Sequence, residues 1–189
     1  MGSLKLPHAS GNSVSIAAPQ SNPASDRTLY LPSNADGTVL TNTTPGTILQ
    51  VTSKLDTSDY STTGNSFFQG PETATFTLTN SSNKVLVTAN FMLYMDARSG
   101  QYLSNAAALY RGNIASGTQI STGGQPMHYR SAANATEYYI AFNTIQWLDT
   151  PGGNTTYSLA VKNNNNNGLA AVIKGSQQTT SITLMEVAV

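Results

Sequence analysis

Several residue types that support common protein chemistry are missing or scarce in this 189-residue sequence. It has no cysteine, which excludes disulfides and thiolate metal sites, and its two histidines, His8 and His128, lie far apart. Nine basic residues balance nine acidic ones, so the formal net charge is zero. Because no basic run is present to neutralise phosphates, we do not expect nucleic acid as a partner.

Long apolar runs are missing as well. No stretch approaches the roughly 20 apolar residues that a membrane-spanning helix needs. The N-terminal segment also lacks the apolar core of a secretory signal. We therefore expect no membrane insertion and no export by the signal-dependent route.

Neutral polar residues and glycine fill much of the sequence, which has 25 Thr, 21 Ser, 18 Asn and 15 Gly. Charged residues make up only 10%, well below the roughly 25% of average soluble domains. Threonine is β-branched and favours strands, whereas serine, asparagine and glycine favour turns. Because 39% of the residues are hydrophobic and they follow a pattern, most of the chain is expected to fold.

Apolar residues alternate with polar ones in several segments, as in strands that bury one face of a sheet. In segment 84–94, one face is wholly apolar and consists of Val85, Val87, Ala89, Phe91 and Leu93. Segments rich in Asn, Gly, Ser and Asp separate the alternating ones and predict turns. The sequence therefore predicts an all-β antiparallel sandwich or barrel. Its strands would be 72–79, 84–94, 105–110, 138–148, 156–162 and 181–189.

The second faces of two predicted strands are too apolar for free contact with water. Leu86, Met92 and Tyr94 in one strand, and Ile145 and Trp147 in the other, need cover. Contacts between subunits would provide it, so these residues predict an oligomer. Loops or the N-terminal segment of the same chain are the alternative cover.

The first 62 residues follow a different pattern, in which prolines at positions 7, 19, 23 and 32 interrupt short apolar runs. Proline removes a ladder donor and keeps the preceding residue extended. We predict an extended, strand-containing arm over 1–62 for docking or intersubunit contacts, followed by a sandwich domain over 63–189. If the arm docks as an added strand, alternate pockets would receive its apolar residues. These are Leu4, Leu6, Val14 and Ile16.

Three segments follow one another in the arm: GNSVSIAAP, SNPASDRTLYLP and NADGTVL. They resemble segments that recur in tail-fibre and other virion proteins of tailed bacteriophages, notably phages of cyanobacteria and marine bacteria. The C-terminal part resembles jelly-roll heads of the complement C1q and tumour-necrosis-factor type. The matching pieces are KVLVTANFMLY, ALYRGN, IQWLDTPGGNTTYSLAVK and SITLMEVAV. The resemblance spans most of the chain and depends on the order of these pieces.

The resemblance implies a jelly-roll sandwich that assembles as a homotrimer, with the closing strand near the axis. It implies a non-enzymatic virion protein, assembled in the host cytoplasm and released on lysis, whose partners are other capsid or tail proteins. Because the arm is short, a capsid decoration or cement protein, or a short projecting fibre subunit, is favoured over a long fibre. Together with the apolar second face, it predicts an interface at Leu86, Met92, Tyr94, Leu184, Met185 and Val187.

No sequence motif predicts catalysis, and we expect no cofactor. The sequence has no GxSxG, HExxH or CxxC motif, and His128 lies in a polar segment without a predicted partner. Two aspartate pairs, 56 with 59 and 96 with 149, could suggest calcium. Turn chemistry is the simpler interpretation, since calcium takes about six to eight oxygen ligands. An enzyme built on a β-sandwich is thus a hypothesis without catalytic or metal-binding residues.

Two segments combine arginine with aromatic residues and would suit recognition of a sugar or a protein at apical loops. The candidate ligand residues are Arg98, Tyr102, His128, Tyr129 and Arg130. Packing of the tyrosines at strand ends is the alternative. These residues support a second functional hypothesis, a receptor-binding fibre tip that recognises a host surface glycan.

Overall fold

The computed structural model describes residues 3–7, 10–11, 13–17, 44–97, 102–121, 128–131, 137–165 and 169–189. Every regular element in this part of the chain is a β-strand, and all strand pairs are antiparallel. Two compact units are present, residues 1–39 and residues 40–189. In chain order, the strands are β1 (Ser3–Pro7), β2 (Ser13–Ala17), β3 (Ile48–Asp56), β4 (Asp59–Thr62), β5 (Phe68–Glu72), β6 (Lys84–Ala97), β7 (Tyr102–Arg111), β8 (Thr118–Gln119), β9 (His128–Ser131), β10 (Glu137–Asp149), β11 (Tyr157–Asn163), β12 (Ala171–Lys174) and β13 (Thr180–Val187).

The first unit contains a two-stranded hairpin formed by β1 and β2. Gly11 between the strands has a φ of 97°, a conformation that glycine adopts without a steric penalty. The register places Leu4 opposite Ile16, and Leu6 opposite Val14. Because residues paired across two strands share one face of a sheet, the four predicted docking residues lie on one face of the hairpin.

β6 is the central strand of a six-stranded sheet in the second unit. β10 pairs with it along nearly its whole length, from Glu137 opposite Ala97 to Asp149 opposite Val85. On its other side, β6 pairs with β13 and β12, which in turn pair with β3 and β4. Within the described ranges, β10, β3 and β4 have one strand neighbour each, so they are the edges of this sheet.

The second sheet has β11 and β7 at its centre, with β5 on one side and β8 and β9 on the other. Its strand β7 contains segment 105–110, which confirms that segment as a strand. Ala106, Ala107 and Ala108 are fully buried there. Of the three, only Ala107 belongs to the core cluster between the sheets, because Ala106 and Ala108 point to the other face of the strand.

Apolar side chains from both sheets form one buried cluster between them. On β6, the predicted inner face is at most 2% exposed and comprises Val85, Val87, Ala89, Phe91 and Leu93. Leu109, Tyr157 and Leu159 of the second sheet are fully buried in the same cluster. The all-β antiparallel sandwich predicted from the alternating pattern is therefore confirmed.

Segment 72–79 is not the strand that its alternation predicts. β5 ends at Glu72, and Phe76 forms only an isolated bridge with Thr155. Other groups satisfy the backbone donors beyond it, since Leu78 N donates to Asn154 Oδ1 at 2.9 Å and Thr79 N donates to Glu186 Oε1 at 2.8 Å. Phe76 still packs in the core cluster. The alternating pattern therefore indicates a buried side chain here, although the backbone forms no strand ladder.

The predicted boundary at residue 62 also differs from the structure. β3 and β4 lie before that boundary, yet they pair with β13 and β12 in the six-stranded sheet. The four prolines that define the arm all precede residue 33, and 48–62 has none, so nothing prevents this segment from joining a ladder. The compact units divide between residues 39 and 40 instead.

Candidate interaction surface

The outward face of the six-stranded sheet has an apolar row that crosses four strands. Met185 of β13 lies opposite Val51 of β3 and opposite Leu86 of β6, and Leu86 lies opposite Leu148 of β10. Val51 and Leu148 are 56% and 50% exposed, while Met185 and Leu86 are half-buried between them. We call these four residues the apolar row.

On one side of the apolar row, the next two rows of the same face are polar except for Leu55 at the β3 end, and their polar side chains bond to one another. Ser53 and Thr183 hydroxyls are 2.9 Å apart, and Gln146 Nε2 donates to Thr88 Oγ1 at 3.1 Å. Beyond them, Asn90 accepts a hydrogen bond from Thr144 Oγ1 at 2.7 Å. These cross-strand bonds satisfy polar groups within one chain, so the apolar row has a polar border on this side. On its other side, half-buried Val187 lies opposite Ile48, which is 55% exposed.

A second apolar patch lies at the edge of the sheet, beyond the polar rows. Phe142 and Ile140 of β10 are 72% and 52% exposed, and they lie opposite Met92 and Tyr94 of β6. Met92 is only 3% exposed and Tyr94 is half-buried. The exposed part of this patch is therefore on β10.

The structure divides the predicted interface residues between the outward face and the core. Leu86, Met185 and Val187 face outward and are half-buried. Leu184 is fully buried in the core cluster, which corrects its assignment to an interface, because a side chain enclosed within one chain is not available to a partner. Met92 is also buried, at 3% exposure, but it lies on the outward face opposite Phe142 and is not part of the core cluster.

The exposed face of β10 is the opposite of the one expected to need cover. Ile145 packs against the core cluster, and Trp147, on the same side, is 37% exposed. Ile140, Phe142 and Leu148 face outward instead. Both faces of this strand are apolar in sequence, so the alternation alone did not distinguish the inner from the outer one.

A buried carboxylate fixes the closing strand beneath the apolar row. Glu186 is fully buried and accepts hydrogen bonds from Gln50 Nε2 at 2.6 Å, Thr79 N and Oγ1 at 2.8 Å each, and Asn83 Nδ2 at 2.7 Å. Burial raises the pKa of Glu186, but the bonds from Asn83, Thr79 and Gln50 outweigh it and hold the pKa below its ordinary value. The sequence signal that we missed is an acidic residue at a strand position whose side chain points to the core.

A second polar cluster connects the two sheets. Asp149 at the end of β10 is 3% exposed and accepts bonds from Arg111 Nε at 2.9 Å and Arg111 Nη2 at 2.7 Å. Tyr157 Oη also donates to Asp149, at 2.9 Å. Burial and the neighbouring carboxylate raise the pKa of Tyr157, and the bond to Asp149 raises the pKa of Arg111. The cluster therefore joins β10 to β7 and β11.

The aspartate pairs considered for calcium have other positions. Asp96 pairs with Tyr138 and Asp149 pairs with Val85, at opposite ends of the β6–β10 ladder. Asp56 accepts from Ser58 N at 2.8 Å, which confirms its role in a turn. Asp59 pairs with Lys174 and accepts from Ser176 N at 2.9 Å. Among the residues that the structure describes, no three His, Cys, Asp or Glu side chains group to hold a metal ion.

The candidate ligand segments lie on neighbouring strands of the second sheet. Tyr102 pairs with Ser131, and the partners of 103–105 are Arg130, Tyr129 and His128. These residues are far apart in sequence, and the pairing of β7 with β9 brings them together. Arg98 lies outside the described residues.

No helix in the described part of the chain is long and apolar enough to cross a membrane.

No protein-family model and no curated protein matches the chain. Solved structures of infectious bursal disease virus are similar to it. The VP2 subviral particle has a TM-score of 0.40 and 12% identity, over 74% of this chain and 38% of that chain. The T=1 particles derived from the virus have a TM-score of 0.39 and 11% identity, over 86% and 41% of the two chains. The Gx strain has a TM-score of 0.38 and 14% identity, over 94% and 46%. This chain thus spans less than half the length of those viral chains, and a likeness at this level assigns no function.

Proposed function

We propose that this chain is a non-enzymatic structural protein of a bacteriophage particle. It would be a homotrimeric capsid decoration or cement protein, or a short projecting fibre subunit, held in place through its N-terminal arm. Its partners would be copies of itself and other capsid or tail proteins of the virion. The resemblance of its arm and its closing strand to phage structural proteins supports the class of particle.

The apolar row is the observation that carries the proposal. Its members come from four neighbouring strands, and none of them is charged. Its two ends, Val51 and Leu148, are at least half exposed. Contiguous exposed apolar surface usually marks an interaction site, because its contact with water costs free energy that a partner removes. The polar row of Ser53 and Thr183 would limit the contact on that side.

The solution mass of the full chain tests the trimer, and a single substitution tests the row. We expect a mass of about three chains by light scattering. Met185→Glu places a carboxylate in the middle of the row, where burial without a partner costs several kcal/mol, so the mass should fall to that of one chain. Thr183→Glu, two residues away on the same face but among the polar rows, is the matched control and should stay trimeric. A monomeric wild-type chain would contradict the trimer, and a trimeric Met185→Glu chain would contradict the role of the row.

Attachment through the arm is tested by a deletion that ends where the compact unit ends. Removal of residues 1–39 spares β3 and β4, whereas removal of 1–62 would take two strands out of the sandwich. We expect the 40–189 chain to fold but to be absent from purified virions. Its incorporation at the wild-type level would refute attachment through the arm.

A receptor-binding fibre tip that recognises a host surface glycan is the second candidate, because Tyr102 and 128–130 lie on neighbouring strands. Arg130→Ala should then weaken binding of the chain to host surface polysaccharide by about tenfold or more. Lys54→Ala, which removes a basic residue from the exposed strand β3, is the matched control. Equal binding by both variants would leave this candidate without support.

A further inference from the structure

The three edges of the six-stranded sheet are not protected equally. β3 has a register shift opposite Glu186 and Val187, and it contains Lys54 and Asp56, whose charged atoms are 3.7 Å apart. β4 is only four residues long, and its Asp59 forms an ion pair with Lys174. Short length, charges and bulges are the usual means by which edge strands avoid pairing with other chains.

The third edge, β10, is different. It pairs with β6 over 13 residues in a continuous register, and no charged residue or proline occurs from Tyr138 to Leu148. Its outward residues Phe142 and Ile140 are 72% and 52% exposed. Within the described ranges, no strand other than β6 pairs with β10. A long, regular, apolar edge of this kind offers main-chain groups and alternating side chains, which are the two features that strand addition uses.

We infer that the free edge of β10 receives the β1–β2 hairpin of a second copy of this chain. The hairpin has two cross-strand pairs on one face, Leu4 with Ile16 and Leu6 with Val14, at a two-residue spacing. Ile140 and Phe142 have the same spacing on β10. An added hairpin would extend the apolar patch across two further strands, and it would stop before the polar Thr144.

Exposed apolar side chains are present on both elements. Leu6 is 50% exposed, and an isolated two-stranded hairpin is at best marginally stable in water. Residues 18–43 could span at most about 90 Å when extended, which is enough to reach a neighbouring copy. The contact is heterologous, so it can close a ring or link one assembly to the next. The inference thus deepens the proposed function, on which it rests for the role of the arm in assembly.

Two full-length variants test the contact by complementation. Phe142→Lys disables the receiving edge and keeps the hairpin intact, whereas Leu6→Lys disables the hairpin and keeps the edge. In the wild type, we expect slow amide exchange both in β1 and β2 and along the free edge of β10. In either variant alone, these amides should exchange at least about tenfold faster. An equal mixture should restore the protection of the Phe142→Lys hairpin and of the Leu6→Lys edge.

The matched control is Leu55→Lys, which alters an exposed apolar residue (64%) on the protected edge β3. It should leave exchange in the hairpin and in β10 unchanged. Hairpin exchange that is equally fast in the wild type and in Phe142→Lys would overturn the inference. So would a mixture that restores nothing, because the wild-type protection would then come from within one chain.

Incorporation into virions is scored separately. Chains that exchange hairpins but never enter particles contradict the proposed function alone, and chains that enter particles without hairpin protection contradict this inference alone.

Discussion

Removal of the buried carboxylate at residue 186 should destabilise the sandwich strongly. Glu186→Ala would remove an acceptor from five donors: Gln50 Nε2, Thr79 N, Thr79 Oγ1, Asn80 N and Asn83 Nδ2. Asn83 is 4% exposed and has no access to bulk water, whereas Gln50 is half-buried and Thr79 is exposed. Gln50 Nε2 keeps its bond to Thr77 O at 2.6 Å, and Asn83 Nδ2 keeps one to Thr79 Oγ1 at 3.2 Å. The penalty therefore falls on the second N–H of the buried Asn83 amide and, in part, on the Thr79 backbone.

The magnitude follows from the number of donors that cannot turn to water. A buried donor without a partner costs about 1–3 kcal/mol, and two such donors with a small cavity give about 3–5 kcal/mol of unfolding free energy. Glu186→Gln keeps one acceptor but turns an amide nitrogen toward other donors, so a loss of about 2 kcal/mol is expected. Both variants should still fold, since domain stabilities are typically about 5–15 kcal/mol.

Urea unfolding monitored by circular dichroism measures these losses. The matched control is Glu72→Ala, because Glu72 also accepts bonds from Thr156 Oγ1 at 2.6 Å and Asn113 Nδ2 at 3.2 Å but is only half-buried. The control should lose about 1 kcal/mol. If Glu186→Ala loses no more than Glu72→Ala, the reasoning that burial sets the cost of the unpaired donors is refuted.

The remaining predictions concern the loss of stability in acid, the inward and outward residues of β13, the Asp149 cluster between the sheets, and the buried side chain of Phe76. In the folded chain, the pKa of Glu186 lies below its ordinary value of 4.5. The stability that this carboxylate contributes is therefore complete well above pH 4.5 and is lost as the pH falls toward the folded pKa. The free energy of unfolding should fall less steeply with acid in Glu186→Gln than in the wild type. Leu184→Ala should cost about 2–5 kcal/mol of unfolding free energy because that side chain is fully buried. Met185→Ala should cost less than about 1.5 kcal/mol in the isolated chain, because Met185 is only half-buried. Equal losses in urea unfolding would mean that the inward and outward residues of β13 are assigned wrongly. Asp149→Ala leaves Arg111 unpaired near the core and should cost about 3–5 kcal/mol; an unchanged thermal midpoint would argue against the cluster as a connection. Phe76→Ala should cost about 3–5 kcal/mol despite the irregular backbone around it, and a loss under about 1 kcal/mol would show that the segment is dispensable.

Alternation with period two established the fold class and most strands from the sequence, because side chains on a strand point to opposite sides of a sheet. The inner face of β6 was correct at every position from Val85 to Leu93. Segment 72–79 has the same alternation but no neighbour strand in register, since hydrogen bonds to loops and to Glu186 replace the ladder. Alternation with period two therefore predicts which side chains are buried more reliably than it predicts which segments pair as strands.

The sequence by itself also determined what this chain lacks: cysteine chemistry, a run of basic residues, a long apolar run and the motifs GxSxG, HExxH and CxxC. These follow from composition and need no coordinates. The tertiary structure alone decided which face of β10 meets the core, that β3 and β4 belong to the sandwich, and that Glu186 and Asp149 are buried acceptors. It also decided that Val51, Met185, Leu86 and Leu148 form one row. The physical reason is that pairing across strands depends on contacts between residues far apart in the chain, and a local pattern contains no information about those partners.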